Sequence, residues 1–163
     1  MEVLLIRHGF LCPGDERHQK LGPEGPALHS YGMMQARRLG GLFLRGQYGD
    51  LWEDPEYGPV AVSEALCAQQ TARYAGFAKQ QTYSRLNETM PGGSEPAWQL
   101  TGAHRIPKAG LAAARAVLEQ PPDEPIWFTH TLLMAAIYQE LGLATPNPNR
   151  LTPDGCEVWP ITI

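Results

Sequence analysis

Three short, wholly apolar, β-favouring runs constrain this chain more than any other feature: Val3-Leu4-Leu5-Ile6, Pro59-Val60-Ala61-Val62 and Pro125-Ile126-Trp127-Phe128-Thr129. A strand without polar alternation has to be covered on both faces, which points to a parallel sheet sandwiched between helices. Helical patterns follow the runs. Ser30 is placed to cap a helix to about Arg45, with Met34, Leu39, Leu42 and Phe43 near helical spacing for an inner face. A second helical stretch runs from Glu64 to about Lys79, Lys108–Glu119 is Ala-rich, and Leu132 to Leu141 follows the third strand. Cys156 to Ile163 reads as a fourth strand at an edge, where Pro160 is tolerated. This rhythm predicts an α/β fold: a three-layer sandwich with a mostly parallel central sheet and helices on both faces.

Composition narrows the class further. The chain has 163 residues, the length of one typical domain, with 43% hydrophobic and 18% charged residues, which excludes disorder over its whole length. Thirteen Lys and Arg against seventeen Asp and Glu, with no basic run, argue against nucleic acid or an anionic membrane as partner. No apolar stretch reaches membrane-spanning length and the first residues lack a signal-peptide pattern, so the expected place is the cytoplasm. Cys12, Cys67 and Cys156 form no close pair, so neither a zinc knuckle nor a disulfide framework is expected. Gly and Pro cluster at 13–26, 46–59, 91–96, 121–125 and 142–155 as loops, without a linker that would divide two domains. Residues 1–163 are therefore expected to form one domain, with a loop-like cap over about 82–107.

Ligands of open parallel sheets bind just beyond the carboxyl ends of the strands. Here those ends carry Arg7-His8-Gly9, Ser63-Glu64 and Thr129-His130-Thr131. A neutral imidazole can attack phosphorus, and a neighbouring guanidinium can hold phosphate oxygens in a forked pair of bonds. A second imidazole, protonated, can neutralise developing phosphoryl charge, and a loop carboxyl such as Glu88 can protonate a leaving oxygen. Taken singly, each group has a plainer reading: a solvated strand end, a hydrogen-bonded histidine at the sheet edge, a solvated loop glutamate.

In order along the chain, LLIRHG, LHSYGMMQA, VSEALCAQQTA, RLNETMPGG and IWFTHTLLMAAI resemble the signature segments of the histidine phosphatase superfamily, also called phosphoglycerate mutase-like. The resemblance spans residue 3 to about 142. It implies that His8 is the nucleophile that becomes phosphohistidine, that His130 is the second histidine of the phosphate pocket, and that Glu88 is the proton donor. It further implies that Arg7 holds phosphoryl oxygens; Ser63, which begins the middle segment and is more often a strand-end cap, and Thr131 are further candidates for substrate contact. The implied substrate is a small phosphorylated molecule. No metal and no cofactor are expected, because fixed cations neutralise the phosphoryl group.

The chain departs from that pattern at Cys67, where the middle segment of the family carries an arginine that clamps phosphate; Thr131 likewise replaces a glycine. Cysteine has neither a permanent charge nor a forked donor. Three consequences are open: another cation substitutes, with Arg105 and Lys108 as candidates; the substrate carries less charge than a phosphomonoester; or the chain has become a binding module for a phosphorylated ligand or a protein. A metal hydrolase is a weaker reading, since the five histidines lack short ligand spacing with carboxylates.

Overall fold

The computed structural model describes residues 1–20, 22–49, 58–88 and 106–163. Its centre is a five-stranded sheet of β1 (Glu2–Arg7), β2 (Val60–Val62), β3 (Gln80–Thr82), β4 (Ile126–Thr129) and β5 (Val158–Thr162), in the order β3-β2-β4-β1-β5. β1, β2, β3 and β4 run parallel and β5 is antiparallel to β1. Helices α1 (Ser30–Leu44) and α2 (Leu66–Tyr74) cover one face; α3 (Lys108–Glu119) and α4 (Thr131–Glu140) cover the other.

Strand alternation builds the two cores. Val3, Leu5, Ala61 and Trp127 point toward α3 and α4, while Leu4, Ile6, Val60, Val62, Ile126 and Phe128 point toward α1 and α2. α4 is buried from Leu132 through Tyr138, which matches its nearly uninterrupted apolar sequence. At the edge, Pro160 pairs with Leu4, and its carbonyl is taken by the Tyr138 hydroxyl at 2.6 Å. A residue without N–H fits there because no strand among the described residues lies beyond it.

Several expectations change. The cap of α1 is His29, whose Nδ1 accepts from Tyr31 N–H at 3.1 Å, not Ser30. The inner face of α1 is Gly32, Ala36, Leu39, Gly40 and Phe43; Met34 is 56% exposed. Close helix packing explains this, since a Cβ on Gly40 would stand 2.3 Å from Ala75 O beside α2. α2 is also shorter than its pattern suggests. It stops at Tyr74, Gly76 takes φ 100°, and the chain then enters β3. Nothing in the sequence points to that strand, because Gln80-Gln81-Thr82 has no apolar signal. Beyond it the expected cap starts with one 3₁₀ turn at Ser84–Leu86; residues 89–105 lie outside the described residues. No helix among the described residues is long and apolar enough to cross a membrane.

Candidate active site

Parallel pairing decides which side chains meet. Arg7 is in register with Thr129 and Val62 with Phe128, so His8, Ser63 and His130 leave three adjacent strands at the same edge. The ladder continues one step, with His8 N–H donating to Thr129 O at 3.1 Å and Ser63 N–H to Phe128 O at 2.9 Å. The His8 and His130 rings are buried, 6% and 5% exposed by residue, with centroids 5.1 Å apart and planes inclined by 58°. Their separation is about what one phosphate ion can bridge with hydrogen bonds.

Glycines make the turn after β1 possible. A Cβ on Gly9 would stand 2.7 Å from Gly32 O, and one on Gly32 would stand 2.2 Å from Phe10 O. The segment after His8 thus passes backbone against backbone over the first turn of α1. Two side chains pin it: Gly9 N–H donates to Thr71 Oγ1 at 3.0 Å, and Phe10 N–H to Gln35 Oε1 at 2.9 Å. Thr71 in turn donates to Cys67 O at 2.7 Å. In the sequence, Gln35 and Thr71 stand only as motif letters without an assigned part; their polar side chains on otherwise core-facing helices were the available signal.

Proton accounting fixes both imidazoles. His8 Nδ1 lies 2.8 Å from Gly9 O, and a carbonyl only accepts, so Nδ1 carries a proton and the lone pair of the neutral ring belongs to Nε2. Asn87 donates through Nδ2 to Glu64 Oε2 and accepts through Oδ1 from Glu64 N–H and from the Ser63 hydroxyl, each at 2.8–2.9 Å. The Ser63 proton being spent there, its oxygen accepts from Ala65 N–H at 3.0 Å and from His130 Nε2–H at 2.8 Å. Burial, reinforced by the Arg7 guanidinium, pushes the His130 pKa down to about 3, so this ring is neutral near pH 7. Asn87 therefore orients the second histidine through Ser63, a role the sequence did not disclose.

The other candidates fall as follows. Arg7, half-buried at the end of β1, donates through a terminal nitrogen to Pro153 O at 2.9 Å. Glu88 Oε2 accepts Leu132 N–H at 3.0 Å, so its carboxyl closes the amino end of α4 directly beside His130. Thr131 is the first residue of that helix and half-buried. Arg105 lies outside the described residues, and Lys108 is exposed at the start of α3. Cys67, second residue of α2, is 3% exposed, and burial pushes its thiol up to about 12, opposed by Arg7 and reinforced by Glu88. Arg7 thus acts on both His130 and Cys67, and one local field spans the site.

Residues 8, 67 and 130 offered no ligand spacing in sequence, yet one nitrogen of each ring and Cys67 Sγ lie within 4.8 Å of one another. It is the one such group of potential metal ligands among the described residues.

No protein-family model matches the chain, and no curated protein matches it in sequence. Solved structures do. TTHB049 from Thermus thermophilus is 24% identical with a TM-score of 0.62, covering 99% of this chain and 93% of that one. A phosphoglycerate mutase from the same organism is 23% identical with a TM-score of 0.61, over 99% and 92%. The Rv3214 open reading frame product of Mycobacterium tuberculosis is 19% identical with a TM-score of 0.58, over 99% and 91%. The fold of this chain is phosphoglycerate mutase-like.

Proposed function

We propose that the chain is a phosphatase of the histidine phosphatase type that hydrolyses a small phosphorylated substrate through a phosphohistidine at His8. The observation that carries this reading is the pair of buried imidazoles 5.1 Å apart beyond the parallel strands, with His8 Nδ1 tied to Gly9 O. That bond leaves Nε2 as the nucleophilic nitrogen. In the first step the Nε2 lone pair attacks phosphorus, the phosphorus–oxygen ester bond breaks, and the leaving oxygen takes the proton of the Glu88 carboxyl. In the second, water attacks phosphorus and Glu88 takes the water's proton, while the phosphorus–nitrogen bond breaks and returns the lone pair to His8 Nε2. Arg7 holds the phosphoryl oxygens. The negative charge of an arriving phosphate works against the burial and the Arg7 charge that keep His130 neutral, and so favours a protonated ring facing the phosphoryl group.

Cys67 leaves this pocket with less positive charge than the family pattern supplies, so ordinary phosphomonoesters are expected to be poor substrates. The test compares an aryl phosphate, whose leaving group needs no proton, with an alkyl phosphate. His8→Ala should abolish hydrolysis of both, and Glu88→Gln should slow the alkyl ester by about 10²–10⁴-fold while sparing the aryl ester. Turnover by His8→Ala would exclude the nucleophile, and equal losses would make Glu88 only a cap of α4. A second reading, a non-hydrolysing module for a phosphorylated ligand, is favoured by the buried, uncharged thiol of Cys67. It predicts orthovanadate binding without turnover of either ester.

A further inference from the structure

We propose that His8, Cys67 and His130 form a three-ligand site for a thiophilic divalent cation, zinc foremost, with its fourth position open, and that this ion and a phosphoryl group exclude one another. The metal site rests on the geometry of the trio; the mutual exclusion rests in addition on the phosphohistidine reading.

Two imidazole nitrogens and one thiolate are a donor set that zinc takes in preference to hard oxygen-seeking cations, and three protein ligands with an open position are typical of zinc that is not purely structural. Tetrahedral zinc with bonds of about 2.0–2.3 Å places ligand atoms roughly 3.3–3.6 Å apart. All three atoms here already lie within 4.8 Å of one another. Closing that bound to tetrahedral spacing asks for movements of at most roughly 1.2–1.5 Å, within the reach of side-chain rotation.

The surroundings of the rings fit as well. Metal-ligating histidines usually hold a protein acceptor with their second nitrogen, which sets the tautomer and the aim of the first. His8 does so with Gly9 O at 2.8 Å, and His130 with Ser63 Oγ at 2.8 Å, itself fixed by Asn87. The three ligands come from the ends of β1 and β4 and the first turn of α2, all parts of the packed framework. On binding, the Cys67 S–H bond breaks, its proton passes to solvent and a zinc–sulfur bond forms. Zinc and thiolate together leave one positive charge, which Glu88 can offset; the Arg7 guanidinium opposes the ion. Where the family pattern carries an arginine for phosphate, this chain carries a group that recognises a metal, and the His8 lone pair can serve only one of the two.

The experiment titrates metal-free protein with zinc by calorimetry and with cobalt(II) by absorption, followed by orthovanadate with and without zinc. Wild type should bind one ion per chain and show a thiolate-to-cobalt charge-transfer band. Cys67→Ser and His8→Ala, checked for folding by circular dichroism, should each weaken binding by at least about 10²-fold, whereas Cys12→Ser should not. Vanadate bound by the metal-free protein and displaced by zinc supports both the site and the exclusion. Zinc bound where vanadate is not supports the metal site and rejects the phosphohistidine reading. Zinc binding that is absent, shows no thiolate band, or persists in both ligand variants overturns the metal site, and vanadate binding indifferent to zinc overturns the exclusion.

Discussion

At the scale of single residues, Cys67 decides the character of the pocket. It stands one turn from Thr71, the side chain that pins Gly9, so whatever occupies position 67 is held against the His8 turn. Cys67→Arg would place a permanent cation between His8 and His130. If the native pocket is short of charge, this variant should hydrolyse simple phosphoesters up to ~10²-fold faster, and it should lose zinc. A wild type already fast on such esters, with Cys67→Arg slower and less stable, would mean that the thiol serves only as packing. The candidate residues themselves were legible in the sequence: His8 and His130 follow apolar runs, and Glu88 lies in a Gly-rich segment. Their partners were not. Nothing local says that Asn87 will satisfy Ser63 from 24 residues away, or that a glutamate expected to reach over a ligand will also cap α4.

At the scale of elements, close backbone approach sets packing that hydrophobic periodicity cannot reveal. Apolar spacing along α1 singles out Met34 and Leu42 and passes over Gly32 and Gly40, which are buried. Both glycines are predicted to reject a methyl group, with different consequences. Gly40→Ala would press on Ala75 O between α1 and α2, and Gly32→Ala on Phe10 O under the His8 turn. Each should cost about 1–3 kcal/mol of stability in denaturant titration. Only Gly32→Ala should also weaken vanadate binding, because it moves the segment that aims His8. Equal losses of vanadate affinity in the two variants would show that the turn is not what positions the ring. β3 escapes sequence reasoning for the converse reason: its place is assigned by parallel pairing with β2, a tertiary cause that a polar tripeptide does not advertise.

At the scale of the whole molecule, the layered architecture was readable because apolar strands covered on both faces admit few arrangements, and the helices between them supply the crossovers. The order of the strands and the meeting of His8 with His130 came only from the register. Burying a neutral histidine at that meeting point links folding to pH. The folded state refuses a proton at His130 down to about pH 3, whereas an unfolded chain takes one up near pH 6.5. Between those values the unfolded state binds more protons, so stability is fully present above about pH 6.5 and falls as pH is lowered toward 3. The contribution is at most about 1.4 kcal/mol per pH unit. His130→Gln, whose amide can still donate to Ser63, should remove that part of the slope; parallel pH profiles of thermal unfolding for the two proteins would count against a neutral buried ring.

The central claim is a covalent bond between His8 and phosphorus, and trapping that bond tests it most directly. Zinc-free protein incubated with a reactive phosphodonor such as phosphoramidate, quenched in base and digested, should yield one phosphorylated peptide containing His8. The label should be lost in acid and stable in alkali, as a phosphoramidate is, and absent from His8→Ala. Label that survives in His8→Ala, or that resides on another residue of the wild type, would contradict the account.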